Sequence, residues 1–227
     1  MGVSKEEERK VRARDIVAYL KKTYPNPKTE LQYETPFQLL VAVVLSAQCT
    51  DKMVNRVTET LFKKYKTPYD FAHAGEETLA GEISSVTFFR AKARYVIGAA
   101  QIIERDFKGT IPKTIAEFKT LPGVAYKTAT VVLGELYDIW DGIPTDTHVK
   151  RFAYRFDLSD NTDLTKISKD LEHLVPKEDW RYVNNGLVLY GRYVCPARVH
   201  DCTKHPLTKL WPPSVNRWPS GAQSEQN

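Results

Sequence analysis

The segment Leu121–Ala129 carries the residues whose types and spacing are best suited to chemistry. Pro122-Gly123 marks a turn within it, and Lys127 follows that turn closely. Asp146 lies further along, in Pro144-Thr145-Asp146-Thr147-His148. A lysine amine is a candidate nucleophile, and a carboxylate can stabilise a developing positive charge or transfer a proton. The pattern suggests an amine and a carboxylate that act together beside a turn.

The same segment predicts a helix-hairpin-helix. Thr114 and Glu117 have the spacing of a capping box, and apolar residues resume helical periodicity after the turn. Gly123 permits a sharp turn, so the amides at the start of the second helix can face a phosphate, helped by the helix dipole. The hairpin is therefore predicted to bind a phosphate backbone. The residues assigned to this contact are Leu121, Gly123, Val124, Ala125 and Thr128.

With these motifs the chain resembles the helix-hairpin-helix DNA glycosylases of the endonuclease III family, over about residues 29–202. The resemblance also rests on several segments outside the hairpin, in the order in which the family has them. These segments are Thr35-Pro36-Phe37-Gln38-Leu39-Leu40, Leu45-Ser46-Ala47-Gln48-Cys49-Thr50-Asp51, Lys92-Ala93, Asp146-Thr147-His148-Val149-Lys150-Arg151 and Gly191-Arg192-Tyr193.

Helical periodicity dominates the sequence and predicts an all-α protein. Helix starts are predicted at Asp51, Thr114, Asp146 and Asp163. The resemblance implies two helical lobes with a DNA-binding groove between them. These are a six-helix barrel over residues 29–141 and a second lobe from residues 1–28 and 142–211. Residues 212–227 have few apolar side chains, which predicts a disordered tail.

The resemblance implies base excision repair by a bifunctional enzyme. Lys127 would attack the sugar C1′ of a damaged, oxidised pyrimidine nucleotide, form a Schiff base and cut the strand by β-elimination. Asp146 would stabilise the cationic sugar and move the lysine's proton. The competing interpretations are a solvated helix lysine for Lys127 and a helix N-cap for Asp146. The hairpin favours chemistry at Lys127, and Asp146 is expected to be both cap and catalyst.

Base removal requires that the damaged base be flipped out of the duplex. By resemblance, Gln48 fills the space that the base leaves, and Phe88 is an apolar wedge. Gln48 could instead be an ordinary polar residue at a helix end, and Phe88 a core aromatic. His148 either orients Asp146 or satisfies a helix start, and Lys150 is assigned to DNA binding.

Two departures from the family pattern lie in the DNA-contact loops. Ala125 stands where the family usually has a second glycine, and the position accepts alanine if its φ is negative. Thr87 replaces a common glycine in the wedge loop, which leaves the shape of that loop open.

The largest departure concerns a metal cofactor. Many relatives bind an iron–sulfur cluster through four cysteines; here Cys195 and Cys202 keep the first spacing, but the next two ligand positions are His205 and Trp211. We expect that the cluster is lost and that the protein has no cofactor. Zinc at Cys195, His200, Cys202 and His205 is a minor alternative to a loop held by packing. The residues expected to provide that packing are Leu207, Leu210 and Trp211.

Composition sets broader bounds. At 227 residues and 42% hydrophobic content the chain is long enough for one or two compact domains, and it has no long apolar run. The charged N-terminal residues 1–14 do not resemble a signal peptide, and three cysteines favour a reducing compartment. We expect an intracellular monomer that binds double-stranded DNA and no membrane, in the cytoplasm or nucleoid if the source is prokaryotic. The net charge of +5 alone predicts only solvated helix faces.

Two other functions stay open at this point. One keeps the fold but removes thymine or uracil from mismatches with guanine, and a base-release assay on both substrate sets separates it from the first. The other is a non-catalytic helix-hairpin-helix protein that binds the DNA backbone. Such a module needs neither Lys127 nor Asp146, and the presence of both residues argues against it.

Overall fold

The computed structural model describes residues 4–219, which are predominantly helical, as the sequence predicts. None of the described helices is both long and apolar enough to cross a membrane. Besides the α-helices there are 3-10 helices at Lys177–Asp179 and Pro212–Asn216 and a π-helical segment at Tyr182–Gly186. The α-helices are α1 Lys5–Thr23, α2 Pro36–Ser46, α3 Asp51–Lys64, α4 Pro68–Ala72, α5 Glu76–Glu82, α6 Phe89–Phe107, α7 Ile115–Phe118, α8 Tyr126–Tyr137, α9 Thr147–Arg155, α10 Leu164–Leu174, α11 Leu187–Tyr193 and α12 Pro206–Leu210.

Contacts divide the chain into two compact units. One, here called the hairpin unit, is Thr29–Ile139, and the other, the terminal unit, combines Met1–Lys28 with Trp140–Asn227. The boundary lies two residues before the end of the barrel expected at residue 141. Each unit has a hydrophobic core of its own.

The hairpin unit is built around α2. Every residue from Phe37 to Leu45 in this helix is buried. A helix that is apolar on all sides is stable only inside a core, and α2 packs against α3, α6 and α8. Thr35 caps its start in a capping box with Gln38. The unit has seven helices, α2 to α8, whereas six were expected. One of the seven, α7, is a single turn that leads into the hairpin.

Threonine and aspartate side chains set several helix starts. Asp146 caps α9 and Asp163 caps α10, and Thr114 caps α7, as the sequence predicts. Asp51 is instead the first residue of α3, and the cap is the preceding Thr50, whose side chain accepts a hydrogen bond from the Met53 amide. The error is one residue, because Thr and Asp both cap helices.

The prediction of a tail that is disordered from residue 212 is wrong for residues 212–219. Pro212–Asn216 forms a 3-10 helix, Ser214 is fully buried, and Val215 and Trp218 pack against the core of the terminal unit. A single indole ring buries enough area to hold a segment that is otherwise poor in apolar residues. Residues 220–227 of the expected tail lie outside the described residues.

The packing expected of the C-terminal loop holds only in part. Leu207 is fully buried and Trp211 is half-buried against the core, but Leu210 is 49% exposed. Leu210 is the last residue of the short helix α12 and faces solvent. Leu207 therefore supplies the anchorage from this helix, and Trp218 supplies more of it beyond the predicted range.

Candidate functional site

The hairpin between α7 and α8 is fixed by two buried apolar residues and one glycine. Leu121 and Val124 are buried, and Gly123 between them has φ +72°. A Cβ at Gly123 would lie 2.6 Å from the ring of Tyr95 on α6, far inside contact distance. Both the left-handed backbone and the close approach of Tyr95 therefore require glycine.

The second hairpin helix begins at Tyr126 with Ala125 as its N-cap. Ala125 has φ −83° and ψ 170°, an extended conformation that alanine adopts without strain. The expectation for this departure is thus met. The start of α8 has no side-chain cap, because alanine carries no hydrogen-bonding group. Such a helix start suits an anion, because the helix dipole is positive there.

Lys127 is the second residue of α8 and its side chain is exposed, whereas Thr128 beside it is half-buried. Asp146 belongs to the terminal unit, where it is half-buried and caps α9. Its Oδ1 accepts a hydrogen bond of 2.9 Å from the Val149 amide. This bond confirms the capping role of Asp146 and fixes the direction of its carboxylate.

His148 and Lys150 lie on the first turns of α9. Lys150 is exposed, and His148 is half-buried with its Nδ1 3.3 Å from an Arg151 guanidinium nitrogen. The first position of the Gly-Arg-Tyr motif, Gly191 on α11, requires glycine because a Cβ there would collide with His148 and Arg151. The glycine lets α11 approach this part of α9.

Gln48 and Phe88 both occupy left-handed backbone conformations, with φ +54° and +56°. Gln48 is exposed beyond the end of α2, and Phe88 is 62% exposed immediately before α6. The alternative that Phe88 is a core aromatic is therefore wrong. Non-glycine residues in this region of backbone space are strained by about 1 to 3 kcal/mol each, and such strain concentrates at functional sites.

The two strained loops are tied together by Thr87 and supported by Lys92. The Thr87 hydroxyl donates a hydrogen bond of 2.7 Å to the Gln48 carbonyl. The buried Lys92 amine donates bonds of 2.7 Å to the carbonyls of Leu45 and Ala47. Burial lowers the pKa of Lys92, while the proximity of the Cys49 side chain opposes that shift. Thr87 thus gives the wedge loop a defined shape in place of the glycine.

In the terminal unit a buried arginine joins the two C-terminal cysteines. Arg155 on α9 is fully buried; its Nη1 donates to the Cys195 sulfur at 2.7 Å and its Nη2 to the Cys202 sulfur at 2.9 Å. Nη2 also donates to the Ser214 carbonyl at 2.9 Å, and the guanidinium lies 3.8 Å from the Trp218 ring centroid. Burial raises the pKa of the Cys195 thiol, and Arg155 partly offsets this.

The same loop brings together three of the four residues named in the alternative of a zinc site. Cys195, His200 and His205 each offer a ligand atom, and these atoms all lie within 4.8 Å of one another. Cys202 is not part of this group and contacts Arg155 instead. Burial lowers the pKa of His205, and the neighbouring His200 and Arg155 lower it further. A Cys/His group that can bind a metal is thus present.

Sequence reasoning did not single out Arg155, Trp218 or Lys92 for these roles. Arg155 had a usable signal, since it lies on the helical stripe of α9 that includes the buried Val149, Phe152 and Phe156. A charged residue on an apolar stripe needs a buried partner. The partners come from distant parts of the sequence and could not be identified from periodicity.

Comparisons with known proteins identify the family. The family profile described as "HhH-GPD superfamily base excision DNA repair protein" matches residues 41–177. Endonuclease III of Synechocystis sp. is 43% identical over 204 residues, which cover 90% of this chain and 93% of the relative. Endonuclease III of Bacillus subtilis is 40% identical over 188 residues, covering 82% and 85%. Among solved structures, a trapped endonuclease III–DNA covalent intermediate has a TM-score of 0.81 and 36% identity, covering 88% of this chain and 94% of that chain.

Proposed function

Because the chain belongs to the HhH-GPD superfamily of base excision DNA repair proteins, and within it to the endonuclease III family, we infer that it is a DNA glycosylase with abasic-site lyase activity. Its substrate is double-stranded DNA with damaged bases or abasic sites, and we assign it oxidised pyrimidines as the damaged bases. The observation that carries the lyase assignment is Lys127 in the first turn of the uncapped hairpin helix.

In the proposed reaction the Lys127 amine attacks the sugar C1′ and the bond from C1′ to the base breaks. The base leaves with the electron pair of that bond and takes up a proton that the lysine nitrogen loses. The bond from C1′ to the ring oxygen O4′ then breaks, the nitrogen lone pair forms the C1′=N double bond, and O4′ takes up a proton from solvent. The resulting Schiff base acidifies the proton on C2′, whose removal expels the 3′ phosphate and cuts the strand. Water then hydrolyses the Schiff base and restores the amine.

Asp146 is proposed to stabilise the positive charge on the sugar and to relay the lysine's proton. Its Oδ1 is held by the Val149 amide, so Oδ2 is the oxygen assigned to the sugar. A fixed carboxylate needs little reorganisation when the charge develops, which is the basis of electrostatic catalysis. The cap and the catalytic role are compatible because they use different oxygens of one carboxylate.

The remaining site residues are proposed to hold the DNA. The hairpin residues 121–128 bind a phosphate, Gln48 fills the space left by the flipped base, and Phe88 wedges into the stack. A large apolar ring that is 62% exposed on a strained loop fits this use. Exposure of the ring to water is unfavourable, whereas its contact with bases is favourable. His148 and Lys150 are assigned supporting contacts near Asp146.

We propose that the enzyme works without the iron–sulfur cluster. The residues present do not fit that group, because only Cys195 and Cys202 remain of the four thiolates and both sulfurs accept hydrogen bonds from Arg155. The buried guanidinium lies between the two sulfurs and connects them through these hydrogen bonds. Iron analysis of the purified protein should find no stoichiometric iron and no visible absorbance from a cluster.

The test of the proposed function is borohydride reduction of the protein on an abasic-site duplex. A covalent protein–DNA adduct is expected, because reduction traps the Schiff base. A second assay measures base release from two sets of duplexes, one with oxidised pyrimidines and one with thymine or uracil opposite guanine. Release of thymine or uracil without any trapped adduct would instead favour the mismatch glycosylase. Binding with neither product would leave the non-catalytic module. We place the enzyme inside the cell as a monomer on DNA.

A further inference from the structure

A group of metal-ligand side chains lies between α11 and α12, apart from the residues assigned to the DNA chemistry. One ligand atom from each of Cys195, His200 and His205 lies within 4.8 Å of the other two. We propose that these three side chains form a zinc-binding site in the terminal unit. This site goes beyond the glycosylase function, departs from the expectation of no cofactor, and contains three of the four residues of the zinc alternative.

His200 is held in the tautomer that a metal requires. Its Nδ1 lies 2.6 Å from the Arg198 carbonyl oxygen, which can only accept a hydrogen bond. Nδ1 therefore carries the proton, and Nε2 presents its lone pair 3.8 Å from the Cys195 sulfur. Metal-bound histidines are typically oriented in this way, with the second ring nitrogen donating to a backbone carbonyl.

His205 supplies a second, independent observation. Its Nδ1 is buried and has no hydrogen-bond partner among residues 4–219. A buried polar atom without a partner is costly, so native structures rarely contain one unless water or an ion completes it. Coordination of the metal ion through Nδ1 would satisfy this nitrogen.

The donor set favours zinc over magnesium and calcium. One sulfur and two imidazole nitrogens suit zinc, whereas magnesium and calcium prefer oxygen ligands. Zinc bond lengths place tetrahedral sulfur and nitrogen ligands about 3.4 to 3.6 Å apart. The Cys195–His200 pair at 3.8 Å is already close to that separation. His205 is half-buried before the short helix α12, and its ligand atom lies within 4.8 Å of the other two.

Arg155 provides an outer contact for the site. Its Nη1 donates to the Cys195 sulfur at 2.7 Å, and a zinc-bound thiolate commonly accepts such a bond. When zinc binds, the Cys195 thiol loses its proton to solvent and the sulfur keeps its bond to Arg155. Because His200 and His205 are partly exposed, a water molecule is the expected fourth ligand.

The experiment uses the full chain, stripped of metal with a chelator and titrated with Zn²⁺ in competition with a chromophoric chelator. We expect one zinc per chain. His200→Ala and His205→Ala should each weaken zinc binding at least about tenfold. His173→Ala is the matched control in the same unit, because that imidazole is exposed and pairs with the Glu6 carboxylate at 2.9 Å, away from the cysteines; it should bind zinc like the wild type.

A second measurement on the wild-type chain does not depend on how the variants fold. Co²⁺ in place of Zn²⁺ should give a thiolate-to-cobalt charge-transfer band, which reports a bound cysteine. Less than stoichiometric zinc at micromolar protein, wild-type zinc affinity in both site variants, stoichiometric iron, or a cobalt complex without the thiolate band would overturn the proposal. Borohydride trapping is read separately, so loss of the zinc site leaves the glycosylase assignment intact.

Discussion

Lys127 and Asp146 lie in different surroundings, and each setting matches the task proposed for the residue. Lys127 is exposed in the first turn of α8, where a substrate can reach its amine. Asp146 is half-buried, with one carboxylate oxygen bound to the Val149 amide. A nucleophile must be accessible, whereas a group that stabilises charge works best when its direction is fixed.

Lys127→Gln is expected to abolish borohydride trapping and strand cleavage while binding to abasic DNA is retained, because glutamine keeps length and polarity but has no nucleophilic amine. The measurement is adduct yield on an abasic-site duplex beside a binding isotherm. Lys63→Gln is the control, since it removes one charge from the same unit at a side chain that is 74% exposed. Near wild-type trapping by Lys127→Gln would show that another amine is the nucleophile.

Asp146→Asn should lower the rate of base release by roughly 100-fold or more, about the loss seen when one preorganised electrostatic contact is removed. Stability should change by less than about 1 kcal/mol, since asparagine also caps helices. Asp163→Asn is the matched control, because Asp163 caps α10 through a 3.0 Å bond from the Lys166 amide and has no proposed chemistry. Single-turnover base release measures the rate of each variant, and urea unfolding measures its stability. Equal rates for both variants would reduce Asp146 to a cap.

At the scale of elements, the loop after the end of α2 and the loop before the start of α6 are linked. Gln48 follows one and Phe88 precedes the other, and each has a positive φ. The Thr87 hydroxyl bond to the Gln48 carbonyl links the two loops. Two strained loops that share one hydrogen bond hold their exposed side chains in a fixed relation, which lowers the cost of ordering them on DNA.

Thr87→Val should slow base release roughly two- to tenfold, because it removes one hydrogen bond worth about 0.5 to 1.5 kcal/mol and keeps the side-chain shape. Thr87→Ser keeps the hydroxyl and is expected to stay near the wild-type rate. Both variants are compared by single-turnover kinetics on a duplex with an oxidised pyrimidine. If valine and serine give the same rate, the hydrogen bond does not serve the reaction.

For the molecule as a whole, the residues proposed for the reaction are divided between the two units. The hairpin unit carries Lys127, Gln48 and Phe88, and the terminal unit carries Asp146. The terminal unit also has to hold a C-terminal segment that relatives are expected to hold with a cluster. Arg155 makes three hydrogen bonds to this segment, and its guanidinium lies 3.8 Å from the centroid of the Trp218 ring.

Arg155→Met should destabilise the terminal unit by about 2 to 4 kcal/mol, because it removes three hydrogen bonds to buried acceptors, the sulfurs of Cys195 and Cys202 and the carbonyl of Ser214. Arg14→Met is the control, since that side chain is 72% exposed and pairs with the adjacent Asp15; its effect should stay within about 0.5 kcal/mol. Chemical denaturation followed by circular dichroism measures both variants. A change for Arg155→Met as small as that of the control would show that the guanidinium does not hold the segment.

The sequence by itself determined the helical class, the family and most helix starts, because periodicity, caps and the Pro122-Gly123 turn are local signals. It also indicated Lys127, whose role depends on a motif of neighbouring residues. Only the tertiary structure decided what lies between Cys195 and Cys202, since Arg155 reaches them from 40 and 47 residues away in the sequence. It likewise showed that Phe88 is exposed rather than buried, that Thr87 contacts Gln48, and that residues 212–219 are packed. These outcomes depend on which surfaces meet after folding, and no local pattern encodes such distant contacts.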